Sequence, residues 1–424
     1  MTAVTPDVAA SPKAWANRNF RWIWAASTAS FFGSEIGEIA LPLLALITLN
    51  ASATQVSFLR AMQFAPFLLA TMPFGVLVDR HRRRPLMIGA DLGRFVLAAA
   101  IPLAIWADVR SMGLVYGLVF AIGTLTVLYQ VAEFAFQPLA VTTRQLPDAN
   151  AKIVATQQAA SIGGRGLGGL FVSALTAPAA IAVNAVTYLA SAASLSRASV
   201  AESRPVPEAR VTSASSEVKE GLRITLANRF VRGLLGEATT YNFFNEIFML
   251  GLTIYAIRHL HLGAAGLGLI LMVGGFGSFL GAWFGTRATA RFGYGRVLLA
   301  TLIVGNSVQA AAVLSTHGGP ASLTLLCAIF LISGVGIGVA NSHAITVRQL
   351  ALPVQARGRV NAAYRLVSWG VVPIGTIAGG VIAQRYGPWS AELVGGIGVA
   401  LATGWVAFSP IPRLRSVEDA ALRT

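Results

Sequence analysis

Long apolar stretches alternate with short polar breaks along almost the whole chain. An α-helix rises about 1.5 Å per residue, so about 20 apolar residues cross a hydrocarbon core about 30 Å thick. Stretches of that length predict twelve membrane-spanning helices, numbered here in chain order as spans 1 to 12. Their predicted bounds are residues 20–50, 56–78, 86–106, 112–136, 153–176, 180–195, 231–255, 262–286, 297–314, 323–347, 360–384 and 391–408.

The polar breaks are alternately rich and poor in basic residues. Residues 79–84, after span 2, read DRHRRR, and the loops after spans 4, 8 and 10 also carry arginine or lysine. The loops on the other side are nearly free of basic residues, with Arg110, Arg258 and Arg385 as the exceptions near span ends. Because basic loops stay in the cytoplasm, both chain termini are predicted to be cytoplasmic, which requires an even number of spans.

A polar segment divides the chain into two parts of similar length. Residues 201–217 are rich in serine, proline and charge, and Val218, Leu222 and Leu226 then recur at helical spacing. We predict a flexible linker followed by an amphipathic helix at the cytoplasmic surface. The predicted organisation is an N-terminal tail (1–19), a first six-helix half (20–198), the linker with its helix (199–229), a second six-helix half (230–409) and a C-terminal tail (410–424).

The two parts share an internal repeat. Phe32 and Glu35 of span 1 recur as Phe243 and Glu246 of span 7, and the sequence AVTTRQL after span 4 returns as AITVRQL after span 10. Repeated six-helix halves are an architecture of transporters. We therefore predict an all-α membrane protein, in which twelve transmembrane helices form two pseudo-symmetric six-helix bundles with both termini in the cytoplasm.

The loop between spans 2 and 3 carries a family resemblance. Residues 75–84, GVLVDRHRRR, resemble the signature of the major facilitator superfamily, and residues 358–365, GRVNAAYR, look like its subgroup of siderophore exporters and macrolide efflux proteins, the transmembrane secretion effectors. The resemblance covers about the whole chain and implies the major facilitator fold. It also implies that the loop gates the cytoplasmic side, whereas the alternative is that its charges only fix topology and cap helices. The gating residues so implied are Gly75, Asp79, Arg80, Arg83 and Arg84.

The sequence departs from the antiporters of that superfamily at two places. Span 4 lacks the arginine motif of many drug/proton antiporters, and the Gly-Pro pair of their span 5 reads Gly164-Arg165 here. Proton coupling therefore does not follow from the resemblance alone.

Composition changes the interpretation of the charge. The chain is 55% hydrophobic and only 12% charged, and its net charge of +15 comes from arginines in short loops, where it reports topology rather than affinity for nucleic acid. Five histidines and one cysteine form no metal-binding pattern, and no phosphate-binding loop is present. We predict no enzyme activity, catalytic residue, cofactor or metal, and no nucleic-acid partner. The predicted partners are a small-molecule substrate, protons and the lipid bilayer of the cell membrane, around a multi-pass monomer.

Charged residues inside the spans are the candidates for function, because an isolated charge in hydrocarbon is strongly unfavourable. Glu35 and Glu38 lie well inside span 1, and two carboxylates this close retain a proton more readily than one alone. We predict that they couple proton uptake to substrate release or bind a cationic substrate. The alternative is a structural ion pair with Arg60, Arg94 or Arg165.

Span 7 carries a second polar group. Glu246, the repeat-mate of Glu35, lies near Asn242, and Glu237 lies further towards the start of the span. We predict that this group faces the first across the pseudo-twofold axis and lines the transport path. Simple helix packing is the alternative for Asn242.

Two further arginines lie in predicted spans. Arg165, about halfway along span 5, is predicted to neutralise a glutamate, with binding of a substrate anion as the alternative. Asp91 and Arg94 are three residues apart in span 3 and are predicted to form a structural ion pair at the cytoplasmic gate.

Together these features predict a secondary active transporter. The preferred hypothesis is proton-coupled export of small amphiphilic or apolar molecules by rocker-switch alternating access. An importer or symporter of a small nutrient is the alternative, followed by a membrane receptor that transports nothing.

Overall fold

The computed structural model describes residues 13–142, 144–200, 202, 214–352, 356–416 and 419. Residues 203–213 of the predicted linker, the first twelve residues of the N-terminal tail, and residues 417, 418 and 420–424 of the C-terminal tail lie outside these residues. Every regular element that is described is helical. The α-helices are α1 (Arg18–Leu43), α2 (Ala53–Arg80), α3 (Arg83–Trp106), α4 (Met112–Phe136), α5 (Leu146–Ala174), α6 (Ala177–Arg197), α7 (Ala214–Ala227), α8 (Arg229–Arg258), α9 (Gly263–Phe292), α10 (Tyr294–Ser307), α11 (Pro320–Leu350), α12 (Arg357–Gly370), α13 (Val372–Tyr386) and α14 (Pro388–Ala407).

Three of the predicted spans are not single α-helices. The first ends in a π-helical turn, Leu44–Thr48, just after Pro42, and the ninth continues from α10 as the 3-10 helix Val308–Leu314. The eleventh is divided at Val371, and Pro373, which has no backbone N–H to donate, lies in the first turn of the second piece. Hydrophobic periodicity alone does not distinguish these local changes of helix type.

Ten helical segments in the described part of the chain are long and apolar enough to cross a membrane. They include the combined segment Gly358–Tyr386, which joins most of α12 to α13. Helices α5 and α8, with 29 and 30 residues, are equally long but are not among the ten. Both carry several charged side chains, which lower their hydropathy, and two of these, Arg165 and Glu246, belong to the site described below.

Helices α1–α6, here the N-terminal set, pack mainly against one another, as do α8–α14, the C-terminal set. Two extensive helix pairs join the sets, α2 with α13 and α5 with α9, and α2 also touches α8, while the short helix α7 packs on α12 and α8. At Gly221 of α7 a Cβ atom would lie only 2.2 Å from the Arg359 carbonyl oxygen, so α7 is held tightly against α12.

The joints between the two sets depend on small residues. A Cβ at Gly169 of α5 would lie 2.8 Å from the Cα of Gly268 of α9, and one at Gly380 of α13 would lie 2.0 Å from the hydroxyl of Ser57 of α2. Both joints lie on the side of the molecule where α1 ends. Towards the other side the same helices expose side chains, among them Met72 and the pair Gln157 and Gln158.

The internal repeat has a structural explanation in two asparagines. The Asn17 carboxamide oxygen accepts hydrogen bonds from the first backbone N–H groups of α1, and its Nδ2 donates to the Ala140 carbonyl at 2.7 Å. Asn228 caps α8 in the same way and donates to the Ala351 carbonyl at 3.0 Å. Each asparagine thus fixes the start of one helix to the chain after the fourth long helix of its own set.

Candidate functional site

Five charged side chains from four helices lie together where the two sets meet. Arg60 of α2 is 2.5 Å from Glu38 of α1 and 3.3 Å from Glu246 of α8, measured between guanidinium nitrogen and carboxylate oxygen. Arg165 of α5 lies 2.8 Å from the Glu35 carboxylate. We call Glu35, Glu38, Arg60, Arg165 and Glu246 the central charge cluster.

Close helix packing positions Arg165. Gly164 lies against α1 so tightly that a Cβ there would be 2.7 Å from the Cβ of Glu35. One turn further along α5, Gly168 contacts the backbone of Ile36. The Gly164-Arg165 sequence that departs from antiporter motifs therefore has a clear local role, since the glycine admits α1 and the arginine then reaches Glu35.

Within the cluster, Arg60 contacts carboxylates from both helix sets. Its partner Glu38 also accepts a hydrogen bond from Gln63 of α2 at 2.8 Å, whereas Glu246 accepts one from Thr376 of α13 at 3.2 Å. The side chains of Arg60, Glu38 and Glu246 are 15%, 23% and 12% exposed, so all three are mostly but not completely shielded from water. Breaking the contact between the sets would require separating Arg60 from Glu246.

The charges of the central cluster do not balance. Three carboxylates face two guanidinium groups, which leaves one negative charge in excess when all five are ionised. An uncompensated carboxylate in an apolar surrounding is strongly disfavoured. The arrangement therefore suits a monovalent cation, either a proton or the cationic group of a ligand.

The other residues predicted for the transport path lie apart from this cluster. Asn242 donates to the Ser368 carbonyl of α12 at 2.6 Å, which is a packing contact. Glu237 lies within hydrogen-bond reach of Asn306, whose Nδ2 donates to Thr403 at 3.1 Å. The structure thus brings Glu35, Glu38, Arg165 and Glu246 together, whereas Asn242 contacts α12 and Glu237 lies beside Asn306 of α10.

The predicted pair Asp91 and Arg94 forms an ion pair in the interior of the N-terminal set. The two side chains are 0% and 1% exposed, and the guanidinium carbon lies 4.3 Å and 4.4 Å from the ring centroids of Tyr129 and Tyr188. Arg94 is therefore enclosed by α3, α4 and α6. This position is interior to the bundle, and a role at the cytoplasmic gate stays a prediction.

Replacing Arg94 by methionine is expected to lower the free energy of unfolding by about 3–5 kcal/mol, because Asp91 would stay buried without its partner. Thermal unfolding of the purified protein in detergent measures the effect. Adding Asp91→Asn should recover a large part of the loss, since no charge is then left unpaired. A double variant as unstable as Arg94→Met alone would show that packing around the two tyrosines, rather than charge pairing, dominates.

The charged residues of the predicted gate lie at the junction of α2 and α3. The backbone N–H groups of Arg83 and Arg84 donate to the Glu202 carboxylate at 2.6 and 3.0 Å, and the Arg84 guanidinium donates to carbonyls at the end of α6. Asp79 and Arg80 form the last turn of α2. A Cβ at Gly75 would meet nothing within 4 Å, so no close packing requires glycine there in this conformation.

Two buried acids were missed by the sequence analysis. Glu133 of α4, 6% exposed, accepts a hydrogen bond from the hydroxyl of Ser27 of α1. Glu392 of α14 is 0% exposed, and neither of its carboxyl oxygens has a hydrogen-bond partner among the described residues. Both lie inside predicted spans, so the criterion applied to Glu35 would have found them.

A family model described as transmembrane secretion effector matches residues 10–423, nearly the full chain. The chain belongs to the transmembrane secretion effector family. Members of this family are membrane transporters of the major facilitator superfamily rather than enzymes. This secretion effector is accordingly a multi-pass membrane transporter.

Two sequence relatives of this secretion effector are efflux proteins. The multidrug efflux pump Tap of Mycolicibacterium fortuitum is 25% identical over 417 residues, which cover 94% of this chain and 97% of the pump. Macrolide efflux protein A of Streptococcus pyogenes is 26% identical over 226 residues, covering 53% of this chain and 55% of that protein. Among solved structures, a bacterial homologue of the iron transporter ferroportin in an inward-facing state has the same fold, with a TM-score of 0.68 at 17% identity over 92% of this chain and 98% of that one.

Proposed function

We propose that this secretion effector exports small amphiphilic molecules in exchange for protons, by rocking of two six-helix halves around the central charge cluster. In this proposal the N-terminal and C-terminal sets are the two halves. All twelve long segments, α5 and α8 included, cross the cell membrane with both termini in the cytoplasm, and one chain is the working unit. The observation that carries the proposal is that Arg60 is shared between Glu38 of one set and Glu246 of the other.

The shared arginine supports coupling between a cation and the rocking motion. Arg60 and Glu246 attract each other across the joint, and neutralising Glu246 with a proton or a bound cation weakens that attraction. The two halves can then separate at this level. The same cation balances the excess negative charge of the cluster, so cation binding and separation of the halves favour each other.

The surroundings of the cluster support an amphiphilic ligand. Phe243 lies one turn before Glu246 on α8, edge-to-face with Phe244, whose ring packs on Gly398 of α14, and the Arg60 guanidinium lies 5.2 Å from the centroid of the Phe64 ring. Aromatic walls with few charged groups suit a partly apolar molecule that carries a positive charge. The efflux relatives Tap and macrolide efflux protein A are consistent with drug-like substrates.

Transport by everted membrane vesicles tests this proposal. We expect fluorescent amphiphilic cations to accumulate only when a proton gradient is imposed. Glu35→Gln should reduce the rate about ten- to a hundredfold, the effect of losing ~1.5–3 kcal/mol from one charge-assisted hydrogen bond. Glu220→Gln on the exposed side of α7 is the matched control and should transport normally.

The outcomes separate the alternatives. Accumulation without any effect of the gradient would contradict proton coupling. Full activity of Glu35→Gln would indicate that the ion pair of Glu35 and Arg165 is only structural. Uptake in right-side-out vesicles, in place of everted ones, would indicate an importer.

A further inference from the structure

A second group of ionisable side chains lies inside the N-terminal set, away from the central charge cluster. Asp91 and Arg94 of α3, Tyr129 and Glu133 of α4 and Ser27 of α1 come together there. Each of these residues is at most 6% exposed. We call these five residues the core polar group. None of them takes part in the central charge cluster.

The core polar group, like the central charge cluster, contains one more carboxyl group than it has guanidinium groups. Arg94 is its single guanidinium group among the described residues, and that group already pairs with Asp91. Within the part of the chain that the structure describes, Glu133 has no ion pair and accepts a hydrogen bond from the Ser27 hydroxyl. A second ionised carboxylate in this closed, apolar bundle would be strongly unfavourable, whereas a protonated one is not.

Other buried polar atoms face the same space without a partner. Within the described residues, Asp91 Oδ2, Arg94 Nε and the Tyr129 hydroxyl make no hydrogen bond. The hydroxyl of Ser191 on α6 lies close to Asp91 and Tyr129 but does not reach hydrogen-bond geometry with either. Unused donors and acceptors this deeply buried are uncommon in a purely structural cluster. They offer alternative hydrogen bonds when a proton arrives or leaves.

The groups that act on Glu133 come from all the helices around it. Arg94 and Asp91 face it from α3, Ser27 from α1 and Tyr129 from its own helix. Helix α2 also packs against α4. The charged residues of its last turn, Asp79 and Arg80, lie at the junction with α3. The balance at Glu133 is therefore set by one arginine that is already engaged.

Helix α1 connects the core polar group to the central charge cluster. At about 100° per residue, the positions of Ser27, Ser30, Ser34 and Glu38 lie within about 80° of one another on one face of α1. Arg94 donates to the Ser30 hydroxyl at 3.4 Å, and Glu38 belongs to the central cluster. One polar stripe of α1 thus runs about 16 Å, from Ser27 to Glu38, at 1.5 Å per residue.

From this arrangement we propose that Glu133 is a proton-binding site, separate from the central charge cluster and linked to it through α1. In the conformation described, Glu133 holds the proton and shares a hydrogen bond with Ser27. When α1 moves with the substrate, that bond breaks and the carboxyl releases its proton to water on the cytoplasmic side, breaking one O–H bond and forming another. The coupling part of this inference rests on the proposed proton-driven export.

Infrared difference spectroscopy of the purified full-length protein in lipid nanodiscs tests the binding site without transport. At neutral pH, wild type minus Glu133→Gln should show the C=O stretching band of a protonated carboxyl. Wild type minus Glu220→Gln should show none.

Ser27→Ala should shift the band to higher frequency, because one hydrogen bond to the carboxyl is lost. No protonated band in the first difference spectrum overturns the proposal. Glu133→Asp, which keeps a carboxyl, should retain a band if the glutamine variant folds poorly.

Vesicle experiments test the coupling separately. Glu133→Gln should still exchange labelled for unlabelled substrate, but its gradient-driven accumulation should fall at least about tenfold. Gradient-driven accumulation equal to that of wild type would contradict the coupling role of Glu133. If wild type itself shows no gradient effect, the proposed function fails instead, and the infrared band still decides whether Glu133 binds a proton.

Discussion

Replacing Arg60 by methionine should give the largest loss of stability and transport of any single change at the central charge cluster. Glu38 and Glu246 would then face each other with no cation between them, although both are mostly shielded from water. Removing one partner from such a buried network lowers stability by about 3–5 kcal/mol. Thermal unfolding in detergent and gradient-driven export in vesicles measure the two effects, and export is expected to become undetectable.

A matched triple variant separates stability from function. Arg60→Met combined with Glu38→Gln and Glu246→Gln removes all three charges, so most of the lost stability should return while export stays absent. Arg60→Lys keeps the charge but cannot reach both carboxylates with a planar, forked group, and it should export at an intermediate rate. Normal export by the triple variant would show that the shared arginine only holds the helices together.

Introducing valine at Gly169 should prevent closure of the joint between α5 and α9. A Cβ there would lie 2.5 Å from the Ala264 carbonyl oxygen and 2.8 Å from the Cα of Gly268, and backbone atoms cannot move aside as a side chain can. The halves would then stay apart on the side where α1 ends, which the proposal places outside the cell. Export should fall at least about tenfold, because one of the two conformations is lost.

Cysteine labelling measures this change directly. With Cys327→Ala as background, Ser57→Cys lies against Gly380 in the neighbouring joint and should react slowly with a membrane-impermeant maleimide. Gly169→Val should speed that reaction about tenfold or more, while Gly117→Val, where a Cβ would meet nothing within 4 Å, should leave it unchanged. Unchanged labelling in Gly169→Val would mean that the joint tolerates the added side chain.

The long helices could be predicted from the sequence because each needs a stretch of apolar residues that local composition reveals. The presence of charges inside spans was equally visible, and it identified Glu35, Glu38, Arg165 and Glu246 as candidates. Their partners were not predictable. Three arginines were open as partners of the span 1 glutamates, and only the distances between helices show that Arg60 reaches Glu38 and Glu246 while Arg165 reaches Glu35.

Other features depend on packing that a single sequence does not encode locally. The asparagine of the repeated Ala-Asn-Arg sequence was visible only as a sign of duplication, because its hydrogen bond runs to a residue 123 positions away. The hydrogen bond of Glu133 was not predictable for a related reason, since its partner Ser27 lies 106 positions away on another helix. The division of the eleventh span at Val371 depends on one proline, which many membrane helices tolerate.

The asparagine contacts also bear on the evolutionary origin of this transporter and on whether its two halves can be expressed as separate chains. Asn17 and Asn228 each fasten two points of the same set, and the hydrogen bonds from Asn19 to Ser199 and from the start of α3 to Glu202 join residues that all precede position 203. A break in the peptide chain between 203 and 213 would cut none of these bonds. Each half carries its own hydrogen-bonded connections, so we expect two separately translated pieces to assemble, and the internal repeat indicates an ancestral half-length protein that paired with a second copy of itself.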